Sequence, residues 1–330
     1  ITLEPDPDWN PDEDPLPRTR FYKDSSATII SRNDSPDVGA AATINPYRGC
    51  EHGCVYCYAR PTHEYLGFSS GLDFETRIMV KERAAELLRK ELSSPRWKPQ
   101  TLGMCGVTDC YQPIERKLKI TRACMQVLAE FRNPVNIITK NNLITRDIDL
   151  LSELARHNAV SVCISLTTLN TELRSVLEPR TSPPAARLAT IRQLAAAGIP
   201  VGVLVAPIIP GLTDHEMPAL LSAASEARAC FAGYEMLRLP YGIKGLFESW
   251  LEEHFPEKKD KVLGRIRAVR GGKLNDSRFG SRMRGEGIFA DQIAQIFEVA
   301  ARKAGLEGGW PELCSTEFKR PSLTQQTLEL

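Results

Sequence analysis

Six short runs rich in apolar and β-branched residues, at 41–46, 101–107, 135–139, 159–165, 200–206 and 233–238, alternate with stretches of helical period. The clearest strands are VNIIT, VSVCISL and VGVLVA. The helical stretches between the strands include ETRIMVKERAAELLRKEL, TRACMQVLAEF, RDIDLLSELARH, PPAARLATIRQLAAAG and DHEMPALLSAASEAR. Strand, helix, strand at spacings of about thirty residues builds parallel βαβ units. Six units fall short of the eight that close a full barrel, so the expected fold is α/β, an open partial (βα)6 barrel of TIM type over residues 41–240. After Pro240 the alternation stops, and 241–330 reads as a helical C-terminal extension. Residues 1–40 read as an acidic, Pro-rich N-terminal arm, with 1–20 solvated or loosely docked: six of the first sixteen residues are Asp or Glu and none is basic.

Charged residues make up 25% of the 330 and the apolar set 42%, as in an ordinary globular protein. Net charge is +1, which gives no global attraction to nucleic acid or membrane. No apolar run is long enough to span a bilayer, and the N-terminal stretch has neither the basic nor the apolar region of a signal peptide. Nine scattered cysteines do not frame short loops, so a cytoplasmic, reducing location is expected. Cys124 and Cys163, in RACMQVL and VSVCISL, read as small buried hydrophobes.

The segment NPYRGCEHGCVYCYARP follows the first strand and spaces Cys50, Cys54 and Cys57 as C-x3-C-x2-C. Ligands of parallel α/β folds bind at the carboxyl ends of strands, so a cofactor belongs here. Three thiolates hold a soft metal or an iron–sulfur cluster. On a four-iron cube they leave one iron open to a small molecule. Gly49 and Gly53 permit the tight loop. The alternative is a Cys3His zinc site completed by His52 or His63, although no second C-x2-C is present.

The cysteine spacing, with an aromatic before the last cysteine, resembles the radical S-adenosylmethionine superfamily. The closer resemblance is to its spore photoproduct lyase branch and uncharacterised bacterial relatives. It is carried by NDSPDVG, NPYRGCEHGCVYCYARPTHEYLG, GVTDCYQPIERK, ITKNNLITRDIDLL, SLTTL, EPRTSPPAARL and APIIPGLTDHE, over roughly residues 30–325. The resemblance implies a 4Fe–4S cluster on Cys50, Cys54 and Cys57. Its open iron would chelate S-adenosylmethionine, and an electron from a flavodoxin- or ferredoxin-type donor would cleave the S–C5′ bond. The expected product is a 5′-deoxyadenosyl radical that abstracts hydrogen.

Residue by residue, the resemblance places Tyr56 against the cofactor and makes Tyr58 either a hydrogen relay or part of the barrel wall. Its donor cysteine maps near Cys105 and Cys110 but aligns cleanly with neither; Cys110 is preferred for accessibility. Thr108 and Asp109 end the second strand, Lys140 the third and Ser165 the fourth. They match polar positions for S-adenosylmethionine, Asp109 accepting from its ammonium. Gln112, Glu115, Glu178, Arg180 and Arg187 read equally as pocket lining or as an ion-pair network.

Residues 258–284 hold ten Lys or Arg against two Asp. Arg265, Arg267, Arg270, Arg278, Arg282 and Arg284 could line a groove for DNA or RNA, with Phe279 stacking on a base. The bland alternative is a solvated, salt-bridged face. The favoured reaction is reversal of a DNA lesion. The rivals are a radical enzyme acting on a small metabolite or protein, and a non-catalytic iron–sulfur or zinc protein that binds or senses.

Overall fold

The computed structural model describes residues 19–104 and 106–321. Among the described residues there are ten strands, in chain order β1 (Arg20–Lys23), β2 (Ile30–Arg32), β3 (Ala42–Ile44), β4 (Tyr47–Arg48), β5 (Arg77–Val80), β6 (Leu102–Met104), β7 (Val135–Thr139), β8 (Val160–Ser165), β9 (Val201–Ile208) and β10 (Ala232–Met236). Seven form one sheet in the order β10-β9-β8-β7-β6-β3-β2. The six from β3 to β10 pair in parallel, and β2 adds an antiparallel edge. β10 and β2 do not pair with each other, so the barrel is open, as six βα units require.

Every residue of β8 is buried, as expected of a central parallel strand covered on both faces. The helix Ile120–Phe131 lays Cys124, Met125, Leu128 and Phe131 into the core at helical spacing. Cys124 and Cys163 are fully buried.

Two local readings change. RIMV, inside a stretch expected to be helical, is β5; its alternate residues Ile78 and Val80 are buried, and it pairs with β1 and β4. The competing partners are remote in sequence, so tertiary pairing overrides local propensity. Within the expected arm 1–40, residues 20–32 are built into the sheets: β1 joins β5 in the smaller sheet and β2 extends the barrel. The acidic stretch 1–18 lies outside the described residues.

Beyond Pro240 the helices Ile243–His254, Lys259–Ala268 and Ile288–Ala304 cover the barrel, the last packing on the helix Met217–Glu226. Arg270 fastens this extension to the barrel. Its guanidinium donates to the carbonyls of Leu237 (2.6 Å), Ser281 (2.9 Å) and Met236 (3.3 Å). Among the described residues no helix is long and apolar enough to cross a membrane.

Candidate cluster and cosubstrate site

The cysteine loop follows β4 and is held from several sides. Gln112, fully buried, accepts from the Glu51 N–H at 2.9 Å and donates to the Gly49 carbonyl at 3.1 Å, clamping the backbone on both sides of Cys50. Arg60 donates to the Cys54 carbonyl at 3.0 Å. Arg180 donates to the Glu51 carbonyl and pairs with Glu75, which also binds Arg60 at 3.1 Å. Gly49 and Gly53 have φ of 85° and 69°. A Cβ on Gly49 would stand 2.8 Å from the Phe74 carbonyl, and one on Gly53 would run into the Arg180–Glu75 pair. Neither position admits a side chain.

Cys50, Cys54 and Cys57 all line one cavity at the carboxyl ends of the parallel strands. Burial is the first cause pushing all three thiols up, Cys54 to about 12. Proximity adds to it for Cys50 and Cys54, each of which feels the Cys57 charge. Thiols in this condition give up their protons to a metal. Among the described residues no three His, Cys, Asp or Glu side chains close around a single ion. Three thiols lining one cavity suit a cube, where each binds a different iron and one iron is left open. His63 does not line this cavity; its Nε2 sits 2.8 Å from the Arg77 carbonyl and its ring edges onto Phe74. His52 does face the cavity, against Asp109 (3.5 Å) and Asn141 (3.2 Å).

The strand ends bring Thr108, Asp109, Lys140 and Ser165 to the same cavity. Several are already engaged. The Asp109 carboxylate accepts from the Thr139 hydroxyl (2.8 Å), the Lys140 N–H (2.8 Å) and the Tyr111 N–H (2.9 Å), tying the loop after β6 to the end of β7. The Thr108 hydroxyl donates to the Tyr47 carbonyl at 3.0 Å. Lys140 is not a surface lysine. Its ammonium reaches Ser165 Oγ (2.7 Å), the Ala206 carbonyl (3.0 Å) and Glu178 (3.0 Å), and stands 5.7 Å from the Tyr56 ring centroid.

Glu178 organises this side of the site. It is fully buried, accepts from the Tyr56 hydroxyl and from Thr167 (2.7 Å), and pairs with Arg187 and Lys140. Burial alone would raise its carboxyl, but Arg187 and then Lys140 hold it well below the usual carboxylate range. Glu115 likewise takes Arg146 (2.8 Å) and the Tyr47 hydroxyl (2.5 Å). Thus Gln112, Glu115, Glu178, Arg180 and Arg187 form the scaffold, and none of them lines the cavity.

Tyr58 stands at the rim, 42% exposed; its hydroxyl donates to the Gly106 carbonyl at 2.8 Å and Arg238 covers its ring at 4.8 Å. The accessibility expected of Cys110 is not there. Cys110 is fully buried in the apolar core and absent from the cavity wall, because Asp109 anchors the turn and the Thr121 hydroxyl binds the Cys110 carbonyl at 2.6 Å. Cys105 lies outside the described residues. Sequence reasoning missed Glu235 and Arg238 on the opposite wall. The one signal was a carboxylate inside the apolar run GYEML at a strand end.

The six-arginine groove is not assembled. Arg270 is buried against backbone. Arg278 pairs with Asp276 and Glu286, and Arg282 with Asp37. Arg284 binds the Tyr234 carbonyl, and Arg265 lies 3.8 Å from the Phe289 centroid. Arg267 is exposed. Asp37 and the carbonyls of Met236, Leu237 and Tyr234 come from outside the basic stretch, so a local charge count does not register them, whereas Asp276 lies within it and Glu286 just beyond.

The family model of the Radical SAM superfamily matches residues 44–224. The chain belongs to the radical SAM superfamily. Enzymes of this family use a 4Fe–4S cluster and S-adenosylmethionine. An uncharacterized protein of Mycobacterium tuberculosis (strain ATCC 25618 / H37Rv) is 41% identical over 217 residues, 65% of this chain and 64% of that protein. The match thus spans a little under two thirds of that relative's length. An uncharacterized protein of Methanocaldococcus jannaschii is 27% identical over 68% of this chain and 80% of its own length. Among solved structures, spore photoproduct lyase complexed with dinucleoside spore photoproduct has a TM-score of 0.59 at 18% identity, covering 86% of this chain and 77% of that one. This likeness is one of fold, and it matches the open barrel.

Proposed function

We propose that this radical SAM protein carries its 4Fe–4S cluster on Cys50, Cys54 and Cys57 and uses S-adenosylmethionine to act on a nucleic-acid lesion. The supporting observation is that the three thiols, the ends of β6, β7, β8 and β10, and the Tyr58–Arg238 pair share one cavity at the barrel mouth. When bound, the cluster supplies the electron that splits S-adenosylmethionine and so provides a hydrogen-abstracting radical. Lys140 and Ser165 face the carboxylate end of the cosubstrate. Tyr56, fixed by Glu178, packs against it. Phe74, Ile138, Leu204 and Leu237 provide apolar wall that limits water around a radical. Tyr58 meets the substrate and is the candidate relay. With Cys110 buried, the thiol role passes to Cys105. A flavodoxin- or ferredoxin-type protein would deliver the electron, in the cytoplasm.

The deciding assay is 5′-deoxyadenosine formation by anaerobically reconstituted protein with dithionite and S-adenosylmethionine, followed by ultraviolet-damaged DNA as substrate. Reducible iron with no cleavage, with or without DNA, would reject the enzymatic reading and leave a binding or sensing protein. The internal pairing of Arg270, Arg278 and Arg282 favours a second reading, a small metabolite or protein substrate.

Two expected results test the cosubstrate site and the nucleic-acid reading in turn. Lys140→Ala weakens S-adenosylmethionine binding about tenfold or more while iron content stays, since one charge-assisted contact contributes about 1.5–3 kcal/mol. Unchanged affinity removes Lys140 from the site. Exchanging Arg265 and Arg267 for Gln lowers the salt dependence of DNA binding by about one unit of slope per lost phosphate contact. Wild-type protein with no salt-dependent binding rejects the nucleic-acid reading.

A further inference from the structure

Two charged side chains at the end of β10 face the cavity without forming an ion pair with each other among the described residues. Glu235 and Arg238 both line it. Among the described residues the Glu235 carboxyl has neither a hydrogen bond nor an ion pair. Burial pushes this carboxyl up, against the pull of Arg238, Arg284 and Lys140. Arg238 leans on the Tyr58 ring at 4.8 Å and touches the Met283 sulfur at 3.4 Å, with no carboxylate partner among the described residues. The neighbouring charges are spent: Lys140 on Glu178, Arg282 on Asp37, Asp109 on Thr139 and the Lys140 backbone.

A half-buried carboxyl without a donor is costly, and a ligand N–H removes that cost. A guanidinium laid over an aromatic ring keeps its outer N–H groups for an acceptor, and the ring itself offers a stacking face. A ligand satisfying all three brings a flat ring, a ring N–H and a nearby anionic or carbonyl oxygen. We infer that Glu235 and Arg238 form the substrate-recognition pair of this site, Glu235 accepting from the ring N–H of a pyrimidine base stacked by Tyr58 and Arg238 donating to an oxygen of the same nucleotide. This inference rests on the nucleic-acid reading above and names the group recognised. Sequence reasoning placed neither residue in the site.

The test uses cluster-loaded protein with S-adenosylmethionine and a labelled single-stranded thymidine oligonucleotide, with and without N3-methylthymidine, which lacks the ring N–H. Glu235→Ala is expected to weaken binding of the unmodified oligonucleotide by at least about tenfold, with Glu235→Gln between it and wild type. N3-methylation weakens wild type to a similar extent and leaves Glu235→Ala unchanged, the signature of a direct contact in a double-mutant cycle. Arg238→Ala weakens both probes alike. S-adenosylmethionine affinity and iron content stay within about twofold of wild type in every variant. If wild type binds and Glu235→Ala binds equally well, the pair is not the recognition element, while the nucleic-acid reading stands. If S-adenosylmethionine affinity falls in parallel with oligonucleotide affinity, the pair holds the cosubstrate and the inference is overturned. If wild type binds neither oligonucleotide, the nucleic-acid reading fails and the base assignment with it.

Discussion

Protein in which Cys50, Cys54 and Cys57 are all replaced by alanine is expected to be colourless, free of iron and sulfide, and unable to form 5′-deoxyadenosine. Among the described residues the three thiols are the cysteines that line the barrel-mouth cavity. Cys110, Cys124 and Cys163 are sealed in the core, where they have no route to replace them. The fold should survive. The loop is held by Gln112, Arg60 and Arg180 through its backbone, not through the thiols. Cys→Ala also removes little volume. Folded, helical protein without iron therefore separates loss of the cluster from loss of the fold. Full iron stoichiometry in the triple variant would refute the ligand assignment.

Glu178→Ala is expected to destabilise the protein by about 3–5 kcal/mol, because it leaves the buried Arg187 without its carboxylate. Lys140 loses a partner at 3.0 Å and Tyr56 loses the acceptor for its hydroxyl, so affinity for S-adenosylmethionine falls as well. The pH dependence has a definite sign. The Glu178 carboxyl is held below its unfolded value, so its stabilising contribution is complete above the ordinary carboxylate range and is lost as pH falls through the depressed folded value. Glu178→Gln, which cannot ionise, should flatten that acid limb in denaturant titrations at successive pH values. A Glu178→Ala protein within about 1 kcal/mol of wild type would mean the pair contributes little, as buried ion pairs sometimes do.

The strands of the barrel were legible because parallel strands buried on both faces leave runs such as VSVCISL that little else explains. The segment RIMV was not legible, since its partners β1 and β4 come from sequence tens of residues away and its neighbours have strong helical period. The basic stretch misled for the same reason. A charge count cannot register that Arg270 turns inward to cap the carbonyls of Leu237 and Met236, or that Arg282 meets Asp37. Cys110 looked accessible because it follows a strand-end aspartate. Its burial is set by the way Asp109 binds Thr139 and turns the chain toward the core.

By itself the sequence determined the class of fold and the radical SAM family, because the strand–helix period and the C-x3-C-x2-C spacing are local and written in contiguous residues. Only the tertiary structure decided which polar residues are scaffold and which face the cavity. Glu178 and Arg187 are consumed by each other, whereas Glu235 and Arg238, three residues apart on one strand end, have no ion-pair partner among the described residues. That difference depends on where side chains from separate βα units meet in space, and no local spacing encodes it.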